Sequence, residues 1–513
     1  MKIIEKFFKL VFGRIVIAII ALLVQISIFY VSYKFCEEYI GYIFTGFSLL
    51  SAAIVIFILN SKQNPAFKIA WIIPVLVFPF FGVTMYLFLK GQQTPKRINK
   101  KINSIEHEME PHLEQNENVL KELSQESIRV CNLAKYMNNT AKLPIYKGAD
   151  IEYFEVGEAK FNKLIEELKK AEKYIFMEYF IIAKSKMWNT IVEILEEKVK
   201  SGVEVRVMYD GMCSVKILPW SFPFVLESKG IKCKVFSPLF PVISTYQNNR
   251  DHRKIVVIDG KVAFTGGINI GDEYINEYEK FGHWKDTSIM IKGNCVKTFT
   301  LLFLQMWNLD EKKLEDYTKY ISESNIPVED NESYVIPYGE NPYDEYNIAE
   351  QVYIDMINTA KKYVHIMTPY LILDNEMITT LKYAAKRGVE TIIIMPHIPD
   401  KMYAYLLART YYEELLEAGV KIYEYTPGFV HAKVVITDDE EAVVGTINMD
   451  YRSLYLNFEC AVYMYKNKVI KEIEEDFKLT LEECEEITLE DQKKYSIFKK
   501  IIGKILRLFA PLM

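Results

Sequence analysis

Three apolar runs open the chain: residues 15–33, interrupted by Gln25 and Ser27, residues 39–59, and residues 67–89 with Lys68 at the edge. Each reaches the ~20 apolar residues a helix needs to cross a bilayer, which predicts three spans within residues 1–90. The first run lacks a small-residue cleavage site and another run follows at once, which argues against a removable signal peptide. Pro74 and Pro79 fall inside the third run, where lipid tolerates them because neighbouring groups satisfy the freed carbonyls. Residues 91–145 turn polar and keep helical spacing, a connecting helical region.

From residue 146 the pattern becomes α/β and repeats. Gly202 leads through Val203 and Glu204 into the run Val205 to Met208, and Gly388 through Val389 and Glu390 into Thr391 to Ile394. Each glycine closes a helix of recurring apolar positions and leads into a buried strand. Tyr174 to Ile182 and Tyr363 to Ile372 read as further strands, each after an amphipathic helix. That order predicts mixed or largely parallel sheets covered by helices. The expected domains are 146–325 and 326–490, a duplication, with a basic amphipathic helix over 491–513. This last helix, with cations set mostly apart from its apolar stripe, suits either a membrane interface or packing on the core.

Charge alters this picture in two ways. Lys2, Lys6, Lys9 and Arg14 precede the first span, and Lys90, Lys96, Arg97, Lys100 and Lys101 follow the third. Three spans put those clusters on opposite sides, so the positive-inside bias leaves orientation open. The net charge of −6 gives no global basic balance of the kind nucleic-acid binders carry, so nucleic acid is not an expected partner. Seven scattered cysteines without a Cys-x-x-Cys pair argue against a disulfide framework and a thiolate metal site.

Two stretches carry the chemistry. His252-Arg253-Lys254, then Asp259, Gly266, Gly267 and Asn269, is mirrored by His431-Ala432-Lys433, Asp438, Gly445, Thr446 and Asn448. In both, Asp follows His by seven residues and Asn by seventeen. His and Lys two apart on a strand present both heads on one face. Two such pairs suit a phosphodiester. Lys254, Lys433, Asn269 and Asn448 offset charge growing on the phosphate oxygens, while one imidazole attacks phosphorus and the other protonates the leaving alkoxide. No metal or cofactor is expected. Asp286 and Glu459, each at the start of a strand after its motif, are the candidates to orient the histidines. Asp259 and Asp438 complete the catalytic set, although the residues favour fixing the turn over meeting substrate. Glu178 and Tyr370 either line the cleft or pack at strand ends.

These strings resemble the phospholipase D superfamily, and within it the bacterial cardiolipin synthases. The resemblance rests on the two His-x-Lys-x4-Asp motifs and on residues 250–260, 445–453, Glu178-Tyr179-Phe180 and Thr368-Pro369-Tyr370. Asp251 departs from the family pattern, where Asn is expected. The resemblance implies two α/β domains about a pseudo-twofold axis, mixed sheets flanked by helices, behind N-terminal transmembrane helices. It also implies phosphatidyl transfer between two phosphatidylglycerols, giving cardiolipin and glycerol, by a multi-pass protein of the bacterial cytoplasmic membrane. Another alcohol or water as acceptor, and a lipid-binding scaffold with a dead site, are the alternatives. Oligomeric state is not legible.

Overall fold

The computed structural model describes Leu23, Ile26, Ser27, Tyr30 and Lys34, then residues 40–512 apart from 93, 214–216, 239–245, 322–325 and 345. The chain divides into two compact units: Met1–Ile98 with Leu239–Asn248 and Leu508–Met513, and Asn99–Pro238 with Asn249–Arg507.

In the first unit the expected span over 15–33 lies almost wholly outside the described residues. The second apolar run forms the helix Ile40–Leu59, in which the side chains of residues 40, 43 and 44 are not described. The third run is two helices, Pro65–Val77 and Pro79–Lys90, not one. The cause is local. A residue before proline is driven from the helical region, and Phe78 sits at φ −129°, ψ 72°. Pro79 has no N–H to offer the Val75 carbonyl, and the Ser51 hydroxyl takes that carbonyl at 2.8 Å instead. The pieces, of 13 and 12 residues, are each about 20 Å long, short of the ~30 Å of a bilayer core. Among the described residues no helix is long and apolar enough to cross a membrane. Ile54, Ile58, Val75, Val83 and Tyr86 make the core of this unit.

The second unit is built on strands β1 (Tyr146–Lys147), β2 (Asp150–Phe154), β3 (Tyr174–Tyr179), β4 (Glu204–Asp210), β5 (Lys232–Phe236), β6 (Lys254–Ile258), β7 (Val262–Gly266), β8 (His283–Lys285) and β9 (Ser288–Lys292). These are followed by β10 (Tyr334–Glu340), β11 (Tyr363–Met367), β12 (Leu371–Ile372), β13 (Glu390–Pro396), β14 (Lys421–Tyr425), β15 (Gly428–Val430), β16 (Val434–Thr437), β17 (Glu441–Gly445), β18 (Met449–Asp450), β19 (Glu459–Tyr465) and β20 (Cys484–Ile487). One sheet runs β2-β9-β7-β6-β3-β4-β5. The other contains β10-β19-β17-β16-β11-β13-β14 in the same sense, with β1 added beside β10 and β20 beside β14.

The sheets are mixed, but antiparallel pairing dominates over the parallel arrangement that strand–helix–strand order allows. Within these two sheets, among the described residues, only β3-β4-β5 and β11-β13-β14 run parallel. The reason is the turn after each motif strand. Asp259 and Gly260 have φ of 55° and 66°, and Asp438 and Asp439 have 59° and 62°. Two successive left-handed residues make a tight hairpin turn, which returns β7 antiparallel to β6 and β17 to β16.

β7 and β9 lie against β17 and β19, their counterparts, as a local twofold requires. The helix Val296–Trp307 is buried along nearly its whole length and touches strands of both sheets.

Candidate active site

The two motif strands begin where the halves meet. The stretch before each histidine pairs with the other half: β15 runs parallel to β8, and Asp251 bridges Phe458 in parallel. The His252 N–H donates to the Phe458 carbonyl at 2.9 Å, and the His431 N–H to the Lys285 carbonyl at 2.6 Å. Each histidine therefore stands beside the residue that follows its backbone partner, and that residue is an acid. His252 Nδ1 bonds Glu459 Oε2 at 2.8 Å; His431 Nδ1 bonds Asp286 Oδ2 at 2.6 Å. The pairing crosses the repeat: each imidazole is held by the carboxylate of the opposite half.

The lysines point the same way. Lys254 Nζ donates to the His252 carbonyl at 2.7 Å, and Lys433 Nζ makes the equivalent bond to the His431 carbonyl. One such bond leaves each ammonium two further N–H groups. Burial, reinforced by Lys254 and Lys433, pushes both imidazoles down to about 4 against the pull of their carboxylates. Burial also lowers Lys254 to about 8 and Lys433 to about 7. Burial works against ionisation of Glu459 and Asp286, yet the facing histidines and lysines hold both below the usual carboxylate range. The resting site thus holds neutral imidazoles beside ionised carboxylates, with Nδ1 occupied and Nε2 left for a substrate.

Asp259 and Asp438 lie elsewhere. They follow the far ends of β6 and β16, seven residues from the histidines, roughly 20 Å along an extended chain. Asp259 accepts backbone N–H groups of Glu172, Lys173 and Tyr174 at 2.7–2.8 Å. Asp438 does the same for Lys361, Lys362 and Tyr363 at 2.7–3.0 Å. Their place among the catalytic residues is corrected: they tie the hairpin turn to the next strand and do not adjoin the imidazoles. Asn269 uses its carbonyl oxygen on the Ile181 N–H at 2.9 Å, while its amide faces the Tyr274 hydroxyl at 3.4 Å. Asn448 gives its amide to Ser453 Oγ at 3.1 Å, and its buried carbonyl oxygen has no partner among the described residues. Tyr370 donates to Asp400 Oδ2 at 2.7 Å and accepts from Lys401.

Glu178 is fully buried beneath the first motif, paired in register with Ile255. Burial and the adjacent Asp251 push its carboxyl well above the usual range, and burial carries Asp251 to about 7 against the pull of Arg253. Glu178 is therefore the protonated member of the pair.

Sequence reasoning passed over Arg253, the residue between His and Lys. Its buried guanidinium reaches the carbonyls of Glu459 (3.1 Å), Leu302 (3.1 Å) and Glu340 (3.4 Å) and the Gln305 side chain, fastening the first motif to the second half. The signal was an arginine facing alanine, Ala432, at the equivalent place in the repeat. Thr446, which donates to Glu459 Oε2, and Phe180, edge-on to His252 at 4.9 Å, were also missed. Among the described residues no group of His, Cys, Asp and Glu is arranged to hold a metal ion.

A duplicated mixed sheet with one His-Lys pair per half, joined at the twofold, is the arrangement of the phospholipase D-like proteins. Comparison with known proteins places the chain more closely. Residues 164–307 and 353–480 match the family model described as cardiolipin synthase, PLD-like domain, and residues 49–91 match a phospholipase D-nuclease N-terminal model. A cardiolipin synthase of Alkalihalophilus pseudofirmus is 34% identical over 97% of this chain and 99% of its own. Cardiolipin synthase 2 of Bacillus anthracis is 34% identical over 90% of this chain and 89% of its own. An uncharacterized protein of Streptococcus mutans reaches 48% identity over 90% of this chain and 99% of that one. The solved phosphatidylserine synthase of Haemophilus influenzae shares the fold, with a TM-score of 0.58 at 16% identity over 74% of this chain and 97% of that one. The chain belongs to the cardiolipin synthase family of phospholipase D-like phosphatidyltransferases.

Proposed function

We propose that the chain moves a phosphatidyl group from one phosphatidylglycerol to a second, releasing glycerol and forming cardiolipin through a phosphohistidine. The observation that carries the mechanism is the crossed pair of imidazole–carboxylate contacts, which leaves two Nε2 atoms for one phosphodiester. In the first step the Nε2 lone pair of one histidine attacks phosphorus and the P–O bond to glycerol breaks. The departing alkoxide takes its proton from the other imidazole, which is protonated once the negative substrate offsets the repulsion of Lys254 and Lys433. In the second step that imidazole removes the proton from the terminal hydroxyl of the second lipid, whose oxygen attacks phosphorus as the P–N bond breaks. His252 and His431 are the nucleophile and the acid–base partner, Lys254 and Lys433 hold the phosphate oxygens, and Glu459 and Asp286 fix the Nδ1 tautomers. Asn269, bonded to the Ile181 N–H, and Asn448, bonded to Ser453, support the phosphate site, and Glu178 supports the first motif from below.

The catalytic domains are taken as 146–325 and 326–490, behind the membrane region 1–90 and the linker 91–145. We place residues 1–90 in the bilayer of a bacterial cytoplasmic membrane, as a multi-pass segment. In support, Leu49, Ile56, Phe57, Leu76, Val77 and Phe88 are large apolar side chains left exposed there.

Purified full chain incubated with phosphatidylglycerol in detergent is expected to yield cardiolipin and glycerol. Phosphatidic acid as the main product would overturn the choice of acceptor. Substrate labelled at phosphorus is expected to mark the protein with an acid-labile, base-stable adduct under rapid quench, and the absence of that adduct would overturn the covalent route.

A further inference from the structure

A surface helix of a globular domain turns its apolar stripe inward and its polar face to water. The C-terminal helix Ile497–Arg507 does the reverse. Phe498, Ile501, Ile502 and Ile505 fall at positions i, i+3, i+4 and i+7, one face of the helix, and all are exposed, Phe498 at 73% and Ile505 at 53%. The opposite face makes the contact with the protein. Gly503 is buried there, so close to the helix Met402–Ala418 that a Cβ would stand 2.5 Å from the Leu406 carbonyl oxygen. Beside it, the Arg507 guanidinium lies 4.2 Å over the Tyr411 ring. The helix is thus docked by Gly503 and Arg507, and those four apolar side chains lie on the face it presents.

Charge indicates what covers that face. On a helical projection Lys499 and Lys504 fall on either side of the apolar stripe, both exposed, and residues 497–507 contain no Asp or Glu. Lysines at the borders of an apolar face let their stems lie along hydrocarbon while the ammoniums stay at the headgroup level. A second copy of the chain is a poor occupant, because two such faces would bring the lysine rims of both against each other. The basic rim also stands apart from a chain of net charge −6.

We propose that Ile497–Arg507 is an interfacial docking helix that inserts Phe498, Ile501, Ile502 and Ile505 into the outer acyl region of an anionic lipid bilayer, with Lys499 and Lys504 on the headgroups. This does not depend on the reaction proposed above, and its test requires no turnover.

Ile505→Cys in the full chain, carrying an environment-sensitive fluorophore, is reconstituted in lipid nanodiscs with and without bromine on the acyl chains. The signal is taken as the difference from the parent chain treated identically, which carries the same seven cysteines: Cys131, Cys213, Cys295 and Cys460 are buried, Cys233 and Cys484 half-buried, and Cys36 lies outside the described residues. Because Ile505 is exposed, the substitution leaves the packing intact, and an unchanged unfolding midpoint checks this. Blue-shifted, bromine-quenched emission is expected in phosphatidylglycerol discs. Lys499→Glu with Lys504→Glu in the same labelled chain is expected to weaken engagement by at least about tenfold, two charges near an anionic surface being reversed. Water-like emission in every disc would overturn the proposal, and equal quenching in phosphatidylcholine discs would overturn its anionic specificity. A blue shift that follows protein concentration without bromine quenching would assign the face to a second copy and overturn it as well.

Discussion

The two halves solve one problem with different residues. Each must hold a carboxylate against the histidine of the other. In the first half Asp286 sits where Gly267 leaves room, since a Cβ on Gly267 would come within 2.0 Å of Asp286 Oδ1. In the second half the equivalent glycine is Thr446, whose hydroxyl donates to Glu459, and the longer acid spans the distance. A short acid over a glycine and a long acid braced by a threonine reach the same end. Beneath the motifs the halves diverge further. Glu178, Asp251 and Arg253 form a buried polar cluster under the first, while the same register positions in the second are Met367, Val430 and Ala432, all apolar. The duplication has kept the reacting groups and let their supports drift. The first half is the more polar and carries the fastening to its partner.

The largest effects are expected where the halves agree. His252→Ala and His431→Ala should each lower transfer at least about 10⁴-fold, because groups acting in one turnover do not substitute for each other. Substantial activity in either variant, measured as cardiolipin formed by purified protein, would make the halves unequal in the chemistry itself.

Exchanging the supports sharpens the contrast. Gly267→Thr imports the second half's residue into a space Asp286 already fills, and the displaced carboxylate should cost roughly 10²-fold in turnover, as misplacement of about 1 Å does. Thr446→Gly removes one hydrogen bond to a charged acceptor and should cost about tenfold. The reverse ranking would show that bracing, not room, sets the geometry.

The smallest effect concerns the buried cluster and is read as stability. Folded Glu178 keeps its proton to a pH well above its ordinary value near 4.5, so above that pH the unfolded chain binds fewer protons and wild-type stability falls as pH rises. Glu178→Met, again the second half's residue, removes this dependence. Its stability relative to wild type should climb as pH rises past about 4.5, by no more than ~1.4 kcal/mol per pH unit, read from denaturant unfolding. A gap that stays constant with pH would place the proton elsewhere.

Motif spacing exposed the duplication and named the acids, because strands write their period and turn residues directly into the chain. The exchange of partners between Glu459 and Asp286 was hidden, since each acid lies nearer in sequence to its own half's histidine and only packing brings the other one close. Arg253 was hidden for the same reason: an arginine between two polar motif residues gives no sign of the carbonyls it reaches across the interface. The Asp-Gly and Asp-Asp turns were legible as turns, but their left-handed geometry, which sets the antiparallel return, was not. Pro79 was visible within an apolar run, yet only the lost Val75 bond and the extended Phe78 turn that proline into a break.

The crossed contacts also bear on how the enzyme comes to exist in a cell that is building its own membrane. His252 emerges during synthesis with its motif complete, but the acid that sets its tautomer is Glu459, more than two hundred residues later. Until that strand arrives, His252 lacks its carboxylate partner. A chain ended before Glu459 therefore lacks the contact that the proposed chemistry requires of His252. Reciprocal dependence between the repeats ties the proposed chemistry to a chain finished through its second half.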